Sequence, residues 1–313
     1  MTRVTVIGGG KGQSVILRGI KNIEGLDLKA IVSVSDDGGS TGRLRSEFSL
    51  PAMGDIRNVM VALSSSEPLL SHIMEFRFDE MDSKTLGGHS LGNLILTAMA
   101  QKTGNFMEAI GDVSKILNVK GEIIPSSLEE LTLLARMEDG TIVRGESNIP
   151  IFSNKIKEVF YDHQVVATKE AVHAIVNSDI IILGVGSLYT SIIPNIIIPE
   201  IRRALAFTKA KIVYYCNVMT QPGETNGYSG EDHVNAIIRH GRHKIDAVIM
   251  DNNEFSNDII EKYGEEGSEL VSFKQEDQPY QIFYDDLVST DTGLIRHDAS
   301  KIEASFRKLL EVI

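Results

Sequence analysis

Three stretches of the sequence group residues that can do chemistry on a phosphate. Gly8-Gly9-Gly10-Lys11-Gly12-Gln13-Ser14 combines glycines, which let backbone N–H groups approach an anion, with a lysine that supplies charge. Asp36-Asp37-Gly38-Gly39-Ser40-Thr41-Gly42-Arg43 sets two carboxylates suited to a divalent metal or a ribose beside Ser40 and an arginine able to grip phosphate bidentately. Gly184-Val185-Gly186-Ser187-Leu188-Tyr189-Thr190-Ser191 offers hydroxyls and amides for a second anion nest.

Three further groups accompany them. In Gly54-Asp55-Ile56-Arg57-Asn58, Asp55 reads as a helix N-cap with Arg57 and Asn58 in the first turn. His89 opens another helix and brings Asn93, four residues on, to the same face. Asn217, Thr220 and Gln221 supply amides and a hydroxyl suited to a base or a sugar, and Asp232 reads as a cap. Stricter motifs are not met. Gln13 replaces the third glycine of the dinucleotide fingerprint, no Gly-Lys-Ser/Thr triplet is present, and Gly184–Ser191 does not fit the Gly-x-Ser-x-Gly elbow.

These groups need a scaffold that brings them to one place. Apolar, β-branched runs at Arg3–Ile7, Lys29–Val34, Asp179–Gly184, Lys211–Asn217, Ala247–Met250 and Ile282–Tyr284 predict strands. Helical spacing predicts helices at Ser14–Ile23, Asp55–Leu63, Pro68–Phe76, Ser90–Lys102, Phe106–Leu117, Lys169–Asn177, Leu188–Ala206 (interrupted by Pro194 and Pro199), Glu231–His240 and Ala299–Val312. The alternation implies an α/β, Rossmann-like three-layer sandwich with a mostly parallel sheet. Between 119 and 151 the runs Glu122–Ile124, Leu131–Met137 and Thr141–Gly145 flank the turn Glu138-Asp139-Gly140 and predict a small antiparallel excursion. Residues 1–313 thus read as one domain with a β-rich insertion at about 119–165. Each polar loop follows a strand, so all fall on one sheet edge, where such folds bind ligands.

Composition narrows the partners. Among 313 residues the formal net charge is −12, which argues against a nucleic-acid surface or a polybasic membrane anchor. It also means that an anionic ligand needs short-range donors or a divalent cation such as Mg²⁺. The single cysteine, Cys216, lies in an apolar run and reads as a buried small hydrophobe in a reducing compartment. No apolar run is long enough to span a bilayer and a strand starts almost at Met1, so a cytoplasmic protein is expected.

Taken together, the motifs resemble the CofD/YvcK superfamily. The resemblance rests on Gly8-Gly9-Gly10, Ser35–Ser40, Gly54–Asn58, His89–Asn93, Gly186–Ser191 and Met219–Thr225, running from residue 4 to about 235, with Gly293–Asp298 also similar. One branch is the Mg²⁺-dependent 2-phospho-L-lactate transferases, which move a phospholactyl group from a guanylyl-linked donor. The other is the YvcK-type gluconeogenesis factors, associated with cell shape, wall synthesis and UDP-sugar binding, and Met219–Thr225 looks closer to it. The resemblance implies a nucleotide-sugar ligand and a wall-synthesis protein as partner; an exposed apolar edge could separately support a second copy of the chain, which the pattern does not require. It implies diphosphate contacts from Gly8–Gly12 and Gly186–Thr190, phosphate or metal contacts from Asp36 and Asp37, and base or sugar contacts from Asn217, Thr220 and Gln221. Arg296 would contact phosphate or sugar at the C-terminal edge. Lys11 stands where the family's glycine motif carries Thr, and Val185 where its second turn carries Pro. Gln13 disfavours a dehydrogenase, with NAD(P) kept as an alternative ligand.

Overall fold

β1 (Thr2–Gly8) is buried from Val4 onward, leads directly into α1 (Gly10–Ile20), and pairs in parallel with β2 (Leu26–Val32). The computed structural model describes residues 1–313 except Ser66, Asp82, Lys84, Ser153, Gln275 and Glu276. Five helices follow, α2 (Gly39–Phe48), α3 (Gly54–Leu63), α4 (Glu67–Met74), α5 (Leu91–Thr103) and α6 (Phe106–Ile116), before β3 (Glu122–Pro125) pairs with β2. β4 (Leu133–Met137), β5 (Ile142–Arg144) and β6 (Ile156–Tyr161) form a separate antiparallel sheet in the order β5-β4-β6, with a 3₁₀ turn at Glu146–Ile151 between the last two. The α/β rhythm then resumes with α7 (Lys169–Asn177), β7 (Ile180–Leu183), α8 (Ile193–Ile196), α9 (Pro199–Phe207), β8 (Lys211–Tyr215), α10 (Gly230–Gly241), β9 (Ala247–Asp251), α11 (Asn257–Glu265) and β10 (Gln281–Asp285). A two-stranded ribbon, β11 (Val288–Ser289) and β12 (Arg296–His297), precedes α12 (Ala299–Val312).

The main sheet has seven parallel strands in the order β10-β9-β8-β7-β1-β2-β3. Helices cover both faces: α1 packs with α3 and α12 on one, α7 with α9 on the other. Chain order reverses between β1 and β7, so a crevice opens at their C-terminal ends. This is the α/β, mostly parallel architecture that the strand–helix alternation predicts. No helix among the described residues is long and apolar enough to cross a membrane.

Three local expectations need correction. Glu122–Ile124 belongs to the parallel sheet, because Ile123 and Ile124 are both buried against β2 instead of alternating in and out; the antiparallel strands run only from Leu133 to Tyr161. The first helix starts at Gly10, four residues before Ser14, so the glycines form its opening turn. α11, which buries only Tyr263, and the β11–β12 ribbon, of two residues per strand, lie outside the predicted elements. The caps are better behaved. Ser229 and Asp232 form a reciprocal capping box on α10.

The two glycine turns meet at the switch point. A Cβ on Gly12 would lie 2.2 Å from the Val185 carbonyl oxygen and 2.8 Å from Gly186 Cα. Both neighbours are backbone and cannot step aside. Gly12 therefore serves the packing of α1 onto the second turn. Gly12→Ala is expected to cost about 2 kcal/mol or more, read as a lowered urea midpoint at unchanged slope; an unshifted midpoint would remove this contact from the account.

Candidate functional site

The site is built around the start of α1. Gly9 is its N-cap, with no side-chain cap, and the first turn holds no acidic residue; Lys11 in that turn is exposed. α2 and α3 likewise start without side-chain caps, on Gly38 and Met53. By contrast α5, α6, α7, α10 and α12 are capped by Ser90, Asn105, Thr168, Ser229 and Asp298. α8, α9 and α11 also lack a side-chain cap, but α1 and α2 are uncapped where they begin in the first glycine turn and the Asp loop.

Asp55 is not an N-cap. It is the second residue of α3 and its carboxylate turns to the first glycine turn, where it accepts from the Gly10 N–H. A Cβ on Gly9 would lie 2.5 Å from Asp55 Oδ2, and Gly10 adopts φ +62°, so only glycines allow this approach. Burial, with Asp36 nearby, pushes the Asp55 carboxyl up to about 7. Burial also raises Asp36, against hydrogen bonds from Gly38 N–H and the Thr41 hydroxyl. Asp36 Oδ1 accepts from Gly38 N at 2.9 Å.

Asp37 points elsewhere. Its Oδ1 accepts from Ser147 N at 3.0 Å, which ties the antiparallel insertion to the Asp loop. The same insertion delivers a residue that the sequence did not reveal. Glu146 Oε2 accepts from Ser35 Oγ at 2.5 Å, and burial, reinforced by Asp55, Asp36 and Asp37, raises its carboxyl well above the usual range. No local motif marks Glu146; only the fold carries it across to β2. Among the described residues no three His, Cys, Asp or Glu side chains are placed to hold a metal ion by themselves.

Beneath the Asp loop lies a connected polar network. His89 Nδ1 and Ser40 Oγ are 3.0 Å apart, and Asn93 Nδ2 donates to Ser40 Oγ at 3.2 Å. Arg57 donates to Ser90 Oγ, Asn93 Oδ1 and Asn58 Oδ1 at 2.5, 3.2 and 2.8 Å. Ser90, not His89, caps α5. Burial lowers the His89 pKa, and Arg43 adds to the fall. Arg43 donates to the Gly87 carbonyl at 2.7 Å and so braces the loop before α5. Gln13 replaces a fingerprint glycine because its amide bridges the Val6 and Ile31 carbonyls at 3.0 and 2.9 Å.

The second turn is engaged from within the protein. Its nest is already filled by an internal carboxylate, Glu224. Glu224 accepts from Ser187 Oγ, from Tyr189 N at 3.2 Å, from Thr190 Oγ1 at 3.2 Å and from Gln221 Nε2 at 2.8 Å. Burial raises its carboxyl while these donors oppose the rise. Ser187, Thr190 and Gln221 are therefore engaged by the protein, and Tyr189 is buried with its hydroxyl 2.8 Å from that of Tyr228. Asn217 Nδ2 donates to the Gly186 carbonyl at 2.9 Å, clamping the turn. Thr220 Oγ1 accepts from Glu269 N at 2.8 Å and faces no open space. The polar Met219–Thr225 loop is legible in the sequence, whereas the burial of Glu224 within it is set by tertiary packing. Cys216 is buried and inert, its thiol pushed up to about 12 by burial.

Arg296 is exposed on β12 and makes no ion pair among the described residues. The ribbon that carries it is tied to the C-terminal ends of β9 and β8, through Asp251 accepting from Leu287 N at 2.9 Å and through His297 at the Cys216 backbone. A large cavity of about 820 Å³ lies at the opposite end of the strands, between α7 and α9, and none of the predicted site residues lines it.

Comparison with known proteins agrees with this arrangement. A sequence model of the family "2-phospho-L-lactate transferase CofD" matches residues 4–288. The chain is 43% identical over 314 residues to a gluconeogenesis factor of Bacillus subtilis, covering 99% of this chain and 98% of that one. A gluconeogenesis factor of Halalkalibacterium halodurans is 44% identical over 304 residues, covering 96% of this chain and 94% of the other. A crystal structure of a UPF0052 family member from Bacillus halodurans superposes with a TM-score of 0.91 at 43% identity, covering 97% of this chain and 99% of that one. Motifs, strand order and full-length similarity agree: the chain belongs to the 2-phospho-L-lactate transferase CofD family.

Proposed function

We propose that this protein binds a nucleotide-sugar, specifically a UDP-sugar, and acts as a regulatory factor for cell shape and wall synthesis during growth on gluconeogenic carbon. The observation that carries the ligand class is the uncapped, acid-free first turn of α1 at the strand-order reversal, with Lys11 exposed in it. A diphosphate there would accept from backbone N–H groups and gain from the helix dipole. Arg296 supplies a second free cation at the same edge. The regulatory half is supported by full-length similarity to proteins named gluconeogenesis factor.

The carboxylates beside this turn would repel a bare diphosphate. Mg²⁺ keeps several waters and needs only one or two carboxylates plus ligand phosphates. Asp36 and Asp55 suit that shared role, and when bound the ion would neutralise charge between them and the ligand. Asp37, held by Ser147, is the weaker candidate of the Asp36–Asp37 pair.

A second reading, phospholactyl-type transfer, is favoured by one observation. A carboxyl titrating near 7 beside the phosphate turn suits proton abstraction from an acceptor alcohol, and Asp55 is that group. The two readings separate by ligand. Thermal shift with UDP-sugars, GDP, GTP and NAD(P), each with and without Mg²⁺, should show selective stabilisation by UDP-sugars, about 2.7 kcal/mol at 100 times Kd. Guanine-selective, Mg²⁺-dependent stabilisation would instead support the transferase. Arg296→Ala should weaken UDP-sugar binding by roughly 1.5–3 kcal/mol; an unaltered Kd would exclude Arg296 from the site.

Asp55 also makes a pH prediction without ligand. Its folded pKa of about 7 exceeds the unfolded 3.8, so between these values the folded state binds more protons and stability falls as pH rises. Asp55→Asn removes that slope. The variant should match the wild type near pH 4 and exceed it above pH 7 by about 1 kcal/mol or more. Parallel stability curves across this range would show that Asp55 is not so perturbed.

A further inference from the structure

A second cavity, of about 360 Å³, opens on the flank of the molecule between the free edge of β6, the start of α9 and the end of α10. Lys157, Arg202, Arg239 and Arg242 all line it. Among the described residues none of the four makes an ion pair, although the chain as a whole carries a net charge of −12. Glu158, the one carboxylate in the lining, is engaged by Arg136 at 2.8 Å. Lys157, Arg239 and Arg242 are exposed and Arg202 half-buried, so water screens their repulsion in part, and an anion in the concavity would relieve the rest.

Local structure does not explain all of them. Arg239 and Arg242, at the C-terminal end of α10, complement that helix dipole. Arg202 does the opposite. It stands in the first turn of α9, at the positive end of the dipole, where a cation is disfavoured and an anion favoured. The cavity wall is fixed as well. His240 is buried, its Nδ1–H donating to the Ala236 carbonyl at 2.7 Å and its Nε2 accepting from Val159 N at 3.2 Å, so it is neutral and rigid. Tyr161 donates to the Pro194 carbonyl at 2.9 Å and closes the wall towards Glu146 and the main site.

We infer that this cavity is a binding site for a small phosphate-bearing molecule, a phosphate ester or diphosphate, separate from the crevice at the ends of β1 and β7. Guanidinium groups match phosphate oxygens in pairs, and the volume lies within the range of small-molecule sites. The site is also wired to the second glycine turn. Arg239 Nη2 donates to the Tyr189 hydroxyl at 3.4 Å, and the Tyr189 ring stands edge-on to His240 at 5.8 Å. An anion that draws Arg239 away from Tyr189 acts on the element that Glu224 holds in place.

The test uses inorganic pyrophosphate as the probe, titrated calorimetrically into the full chain at fixed ionic strength. The variant is Arg202→Gln/Arg239→Gln/Arg242→Gln, whose side chains lie at the surface. A control with the same change of charge, Lys102→Gln/Lys115→Gln/Lys120→Gln, lies on the other side of the sheet. The cavity site predicts that the arginine variant loses one equivalent of pyrophosphate or binds it at least tenfold more weakly, while the control retains wild-type binding. Equal loss in both variants would reduce the effect to net charge, and unchanged binding in the arginine variant, or none in the wild type at millimolar probe, would overturn the inference. Circular dichroism and melting temperature, read on all three proteins, separate loss of binding from loss of fold; should the arginine variant misfold, Arg202→Gln alone must still weaken binding severalfold.

Discussion

Everything at the site depends on how closely the two glycine turns approach each other where strand order reverses. Gly12 brings α1 against the Val185 carbonyl, and Asn217 and Glu224 hold the second turn from behind. Parallel strands leave their C-terminal ends open at such a reversal. Here the gap is narrowed until backbone touches backbone, which makes the two halves of the sheet one rigid support. The start of α1 is then presented in a fixed direction. A preorganised anion site requires no less, because donors that must be ordered on binding lose much of their worth.

The second constraint is electrostatic. One nest is filled by the protein's own Glu224, whereas the first turn receives Asp55 at only one of its amides. Around that turn burial raises the carboxyls of Asp36, Asp55 and Glu146, reinforced by Asp37 at Asp36, by Asp36 at Asp55, and by all three aspartates at Glu146. Such a cluster holds protons when nothing else is present and exchanges them for a cation when a phosphate ligand supplies the remaining donors. The polar network of buried Ser40, His89 and Asn93 with half-buried Arg57 lies beneath, its groups engaged with one another. Its work is positional: it fixes the Asp loop and the start of α3 so that Asp36 and Asp55 face the same space.

The strands and most helices were legible because parallel-sheet strands are continuous apolar runs and covering helices show clear apolar faces. Glu122–Pro125 misled because a short edge strand beside an antiparallel insertion has the same local pattern as the insertion itself. The glycine turns and the Asp loop were legible as loops after strands. What each polar side chain does was not. Asp55 reads as a cap by type, yet its carboxylate turns to another loop 45 residues away in sequence. Ser187, Thr190 and Gln221 read as ligand contacts, yet Glu224, from the motif that holds Gln221, engages all three. Glu146 leaves no trace at all, since its placement rests on Asp37 holding the insertion. Residue type reports what a group can bond; only tertiary structure decides which partner reaches it first.

The most direct measurement is a crystal structure of the protein with a UDP-sugar and Mg²⁺. The account predicts the diphosphate within hydrogen-bond reach of the backbone amides that open α1, a metal between its oxygens and Asp36 or Asp55, and Glu224 still seated in the second turn. A diphosphate lodged at Ser187–Thr190 with Glu224 displaced, and the start of α1 left without ligand, would contradict it.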